Sequence, residues 1–264
     1  MPAIYAHYSF GKKVYRQLPA VLKKVIREYK EEYMAGLQGP DFLFFFNPLV
    51  KNRYTQLGHQ IHEENASVFL ERAVKILKVT GMDSPEGAYI MGFICHFMLD
   101  SSCHGFVEQM IGETGESHIE QETEFDRYMM ERDGKGALRY PVHRLVDDSQ
   151  ELAETMSVFY RGVSTFTVRL SQERMRLIKR VLFCPNGVKR SLMTGLLRLI
   201  FGSDGEYVSF VMQTHANLAC EEVCQGLAAR FDRAIPECVR EIQGFVESVE
   251  QGKALSGRFE RNFN

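Results

Sequence analysis

Gly92-Phe93-Ile94-Cys95-His96-Phe97-Met98-Leu99-Asp100-Ser101-Ser102-Cys103-His104 decides how this chain is read. A metal-ligating side chain recurs at every fourth position of a largely apolar run. Four residues advance an α-helix by ~6 Å and rotate it by ~40°. His96, Asp100 and His104 therefore share one helix face, with Asp100 in the middle. The two histidines lie about 12 Å apart at their backbones, which favours two metal ions over one. A central carboxylate can then bridge metals ~3.5–4 Å apart. A single histidine on an apolar face is usually a satisfied core residue. Two imidazoles and a carboxylate among Phe93, Phe97 and Leu99 are different, because burying them unpaired is costly. Zinc compensates that cost, since imidazole and carboxylate both suit it.

The helical pattern extends in both directions. Ser84-Pro85-Glu86 starts this helix, with proline in the first turn. Upstream, Val14 to Tyr33 shows helical spacing, and Asn65 is placed to cap a helix through Phe69, Ala73 and Leu77. Downstream, 117–132, 149–182, 187–201, 206–232 and 236–250 read as helices. Glycine and proline mark the joints at Gly39-Pro40, Gly112 to Gly115, Gly134 to Gly136, Pro185-Asn186-Gly187 and Gly202 to Gly205. Strand alternation is scarce, so the expected fold is all-α, a multi-helix bundle. A soft boundary falls near 140–150, where the histidines thin out. It separates a core over 1–145 from a helical region over 146–264 that packs on it and has no assigned function.

The 264 residues carry a net charge of −2, with 45% hydrophobic and 25% charged residues. That balance names neither nucleic acid nor membrane as an obligatory partner. The six cysteines show no CxxC spacing, which argues against a thiolate zinc site and for free, buried thiols. The N-terminus lacks the features of a signal peptide, and no apolar run is long enough to span a bilayer. The expected address is the cytoplasm.

Six of the eight histidines lie between His7 and His118. His118 and Glu122 form a second i, i+4 pair that can clasp one ion. Asp41 follows Gly39-Pro40 in a turn, where an aspartate is ordinarily a cap or Asx-turn. His59 and His62 precede the next helix, and either is a candidate ligand. Phe42, Phe44, Phe45 and Phe46 are core or the wall of an apolar pocket. His143 reads as a loop residue and His215 as a lone histidine on a helix. Glu116, Glu120 and Glu124 read as a solvated acidic face. Segment 188–201 is basic and amphipathic. It fits a helix packed on the domain, with peripheral contact to anionic lipid as the alternative.

Together these residues resemble the zinc-dependent phospholipase C family, which is related to secreted single-strand nucleases that use three zinc ions. The resemblance runs from about His7 to Asp126. It rests on an early histidine, a loop aspartate, a histidine before a helix, His-x-x-x-Asp followed by histidine, and His-x-x-x-Glu. These are His7, Asp41, His62 (or His59), His96, Asp100, His104, His118 and Glu122, with Phe125-Asp126 trailing. The resemblance implies up to three zinc ions. Asp41, His62, His96 and Asp100 would hold one, and Asp100 would bridge to a second beside His7. His104, His118 and Glu122 would hold the third. Asp41 would be the general base.

Secreted members use an N-terminal Trp amine as a ligand, and this chain has no Trp. A Met-Pro start is readily trimmed, which offers the Pro2 nitrogen and carbonyl in its place. The spacing from Asp100 to His104 is also shorter than in the secreted enzymes.

Three zinc ions against three carboxylates leave net positive charge, which favours an anionic ligand such as a phosphate ester. The implied activity is phosphodiester hydrolysis with metal-bound hydroxide as the nucleophile. Phospholipid is the family's substrate, and a nucleotide or nucleic-acid strand is the alternative on the same site. The rival from another class is a zinc-stabilised helical binding or regulatory protein without turnover.

Overall fold

The sequence from Pro85 to Asp100 is apolar nearly all round, and a helix of that kind has to be surrounded. It is. In the computed structural model, which describes residues 4–202 and 206–263, Pro85–Thr114 forms one 30-residue helix whose first half is the axis of the molecule. By length and composition it could cross a bilayer, yet 72% of its most apolar window is buried inside the protein. Ser84 caps it by accepting from the Gly87 N–H at 3.1 Å, and Gly115 ends it in the left-handed conformation.

The described residues form eleven α-helices and no strand, so the fold is all-α. In chain order they are α1 (Ile4–Gln17), α2 (Ala20–Glu28), α3 (Lys30–Gly36), α4 (Arg53–Glu63), α5 (Ala66–Thr80) and α6 (Pro85–Thr114). These are followed by α7 (His118–Arg132), α8 (Gln150–Ser157), α9 (Thr165–Leu182), α10 (Gly187–Phe201) and α11 (Glu221–Gln251). Helices α1, α3, α5 and α11 pack around α6. One hydrophobic cluster runs from Ile4 to Phe263 and draws on both halves of the chain.

The closest crossing is α3 against α6. It is made at Gly36 and Gly92, where a Cβ on either residue would fall about 2 Å from a backbone carbonyl of the other helix. This contact lays the turn after α3 against the middle of α6, beside His96.

Several boundaries differ from the sequence expectation. Pro19 ends α1, so the run from Val14 to Tyr33 is three helices. Gly162, at φ 74°, breaks 149–182 into α8 and α9. Residues 211–217 are not helical, which puts His215 in an exposed irregular segment. Their carbonyls and side chains are taken by arginines instead: Arg127 donates to the Gln213 carbonyl, and Arg190 donates to the Met212 carbonyl and Thr214 hydroxyl. Pro236 does not stop a helix but sits inside α11. Buried Phe231, Ile235, Cys238 and Ile242 hold the helix on both sides of it. Asn65 makes no cap bond; its amide donates to Glu260 at 3.4 Å. Glu124 is buried, accepting from Arg127 and from the Asn217 N–H, and so leaves the acidic face expected to be solvated. All six cysteines are free and buried.

Candidate metal centre

Helix α6 presents His96 and Asp100 to the protein interior, at 0% and 1% exposure. Helix α1 brings His7 across to them. Its Nε2 lies 3.2 Å from one Asp100 oxygen, while His96 Nε2 lies 3.3 Å from the other. The two imidazoles stack at 4.5 Å. The start of α1 is fixed by Asp126, whose oxygens accept the N–H groups of Tyr5 (3.1 Å) and Ala6 (2.7 Å). Asp126 thus sets His7 one to two residues after its own grip.

The other side is built by the turn after α3. Gly39 has φ 51°, and a Cβ there would sit 2.2 Å from the His96 ring. Only glycine lets the backbone pass so close. Asp41, 1% exposed, then opens a 3-10 turn, Asp41–Phe45. Its carboxylate lies 3.2 Å from His62 Nε2 and 4.0 Å from His96 Nε2. His62 Nδ1 donates to the Gly58 carbonyl at 2.7 Å. A carbonyl can only accept, so in the neutral ring the Nε2 lone pair faces the Asp41 carboxylate. Two acceptors at that distance need a cation or a proton between them. His59 is exposed and packs on Phe44, so of the two candidates it is His62 that joins the cluster.

A third group sits further along α6. His104 and His118 approach at 4.8 Å between rings, and His118 Nε2 lies 3.0 Å from Glu122. The structure adds Glu108, 3.2 Å from His118 Nδ1. Glu108 is the next rung of the ladder 96, 100, 104, 108, and its i+4 spacing from His104 was the signal that could have found it. His7, Asp100, His104 and Glu122 line one small cavity, so the buried cluster and the third group share a void. Pro2 lies outside the described residues.

The residues fit a metal. Three sets of ligating atoms each lie within 4.8 Å of one another: His7, His96 and Asp100; Asp41, His62 and His96; and His104, Glu108 and His118. Both His96 nitrogens, both Asp100 oxygens, His62 Nε2 and Glu122 Oε2 are buried without a hydrogen bond among the described residues. Such atoms ordinarily find partners, and a divalent cation would supply them here.

A family model of zinc-dependent phospholipase C matches residues 6–173, which include every described candidate ligand from His7 to Glu122. The chain belongs to this family. No curated protein and no solved structure matched it. α10, α11 and the C-terminal tail lie beyond the matched residues. The tail nevertheless reaches the centre. The Phe263 N–H donates to the His62 carbonyl at 3.1 Å, and its ring packs 4.9 Å from His62 and 5.8 Å from His96. Lys179 of α9 is also buried here, its ammonium 5.9 Å from the Phe45 ring. Burial lowers its pKa against the pull of Asp126, Asp41 and Glu122.

Electrostatics favour ligation. Burial pushes His96 down to about 4, so it is neutral at physiological pH. Burial alone would raise Asp41 and Asp100, but neighbouring positive charge, His62 and His96 contributing to it, holds Asp41 below the usual carboxylate range, and the His96 and His7 imidazoles do the same for Asp100. Burial would lower His7 and His62, yet Asp100 and Asp41 respectively raise them. In metal-free protein a raised histidine pKa stabilises the fold fully below about pH 6.5, and the gain is lost as pH climbs through the raised value. His96 acts in the opposite sense, below about pH 6.5. Chelator-treated protein is therefore expected to melt at progressively lower temperature as pH rises above about 6.5. Zinc-loaded protein should gain over the same range, because imidazoles must shed protons to ligate. Thermal melts with and without chelator check this. A metal-free melting temperature that climbs with pH there would contradict it.

Proposed function

We propose that the chain is a zinc-dependent phosphoesterase that hydrolyses a phosphodiester in the manner of a phospholipase C. One observation carries the reading: the two Asp100 oxygens face different imidazoles at the wall of a cavity that His104 and Glu122 also line. A carboxylate so placed can serve two ions at once, and clustered cations facing one void suit a phosphoryl group.

In this reading Asp41, His62, His96 and Asp100 would hold one zinc, Asp100 and His7 a second, and His104, His118 and Glu122 a third. Zinc would supply Lewis acidity towards phosphoryl oxygens and water. The chain supplies the rest. Asp41 is ionised, buried and rigidly placed, and it accepts the proton of the attacking water. His96 stays neutral and keeps its lone pair available. Phe42, Phe93, Phe97 and Phe263 exclude bulk water and strengthen every charge interaction inside.

Asp41→Asn keeps an oxygen near the metal but removes the base. Hydrolysis of an aryl phosphodiester by zinc-loaded protein is expected to fall by ~10²–10⁴, with zinc content by elemental analysis largely retained. Unchanged turnover would remove Asp41 from the role of base. Zinc-loaded wild type that hydrolyses no phosphodiester would favour a zinc-stabilised binding protein instead.

A further inference from the structure

Helix α10 turns much of its apolar surface outward. Its buried residues are Arg190 and Thr194, both polar, with Met193, Leu197 and Phe201 half-buried beside them. Val188, Leu192, Leu196, Leu199 and Ile200 form one stripe on its outer face and are between 49% and 83% exposed. The helix packs on the domain through its opposite face and leaves that stripe uncovered. Other exposed aliphatic residues occur, but no other described helix exposes five of them.

The orientation of α10 is fixed by Arg190. Its guanidinium donates to the carbonyls of Cys184 (2.7 Å) and Met212 (3.1 Å) and to the Thr214 hydroxyl (2.9 Å). It thereby clamps the segments before and after α10 to each other. Those segments, Phe183-Cys184 and Phe210 with Met212, wall an apolar cleft that also reaches Lys179 and Asp126. The helix is an arm standing on the rim of that cleft.

The surroundings are cationic. Besides the buried Arg190, α10 carries Lys189, whose ammonium donates to the Arg180 and Phe183 carbonyls, and Arg198, and it has no acidic residue. Arg144, Arg176, Arg180 and Lys189 lie near enough to His143 for their charge, after burial, to lower its pKa. His143 itself packs 5.5 Å from Phe183 at the foot of the arm. Of the nearby acidic groups, Asp148 pairs with Arg176 at 2.6 Å, and Glu206 is exposed on the short turn that follows α10.

We propose that the outer face of α10 is a membrane-docking surface for an anionic lipid bilayer. An apolar stripe flanked by basic residues enters the headgroup boundary and is held by anionic lipid. A second copy of the chain fits less well. A two-fold contact sets the same patch against itself, which would bring the cationic flanks together. The inference goes beyond the phosphoesterase reading, because docking needs neither zinc nor turnover.

The chain has no Trp, so Leu192→Trp gives a single reporter. Its emission should shift to the blue on adding phosphatidylcholine vesicles that contain phosphatidylglycerol. High salt should weaken the shift, and pure phosphatidylcholine should give much less of it. In sedimentation with the same vesicles, Leu192→Gln/Leu196→Gln/Leu199→Gln should bind at least about tenfold more weakly than wild type. All three positions are exposed, so the variant should keep its fold and any phosphodiesterase activity on a soluble substrate. Each measurement is repeated after chelation, which separates docking from the metal centre. Wild type that stays in the supernatant with anionic vesicles at low salt would overturn the proposal. So would a triple variant that sediments like wild type. A wild-type dimer that the triple variant dissociates would overturn it in favour of self-association.

Discussion

Asp100→Ala is expected to remove about two zinc ions per chain and bring phosphodiester turnover to background. The reason is geometric. Each Asp100 oxygen faces a different imidazole, His7 at 3.2 Å and His96 at 3.3 Å, and the residue is 1% exposed. Without the carboxylate, His7 has no other described anionic ligand within ion-pair distance. His96 is left with Asp41 at 4.0 Å. Water cannot easily replace a group so deeply buried. The third group does not depend on Asp100, because His118 lies between Glu122 and Glu108. Elemental analysis should therefore show partial loss of zinc rather than complete loss. Full retention of zinc and rate would end the bridging assignment.

The second large effect is expected from a residue outside the family match. Phe263 is 0% exposed and its ring touches those of His62, Phe93, His96 and Phe97. Truncating a buried phenylalanine to alanine costs about 3–5 kcal/mol, from lost transfer energy and the cavity left behind. For a chain of this size, Phe263→Ala should lower the melting temperature by roughly 10 °C. Because the cavity opens directly behind His62 and His96, zinc affinity should fall as well, read by competition with a chromogenic chelator. A melting temperature and zinc affinity equal to wild type would show that the ring carries neither role.

What the sequence disclosed and what it withheld follow physical lines. The rungs His96, Asp100 and His104 were legible because helix geometry converts sequence spacing directly into a shared face. Glu108 continues the same ladder and was passed over. The choice between His59 and His62 was not legible, since it depends on which way α4 turns its faces toward the turn at Asp41. Phe263 was invisible, because no local pattern announces a contact across almost the whole chain. Segment 211–217 was misread as helix, because the arginines that claim its backbone lie on α7 and α10. The gap at 233–235 between two expected helices is absent, because α11 runs on through Pro236. A proline in a helix interior costs about 3 kcal/mol, and the buried residues around it outweigh that. The exposed stripe on α10 shows the remaining limit. Periodicity reveals that a helix has two faces, but here the clamp made by Arg190 decides which one turns inward.

The convergence of His7 and Phe263 on one cluster also has a kinetic consequence. Both rings can reach His96 only after nearly the full length of the described chain has closed into a loop. Such long-range contacts carry the loop-closure cost before they return any stabilisation. The ligand set should accordingly be among the last features to reach its final spacing. Zinc capture during refolding is expected to lag the recovery of helical signal, with chain closure rather than metal diffusion setting its rate. A zinc-sensitive dye that is depleted before the far-UV signal returns would contradict that order.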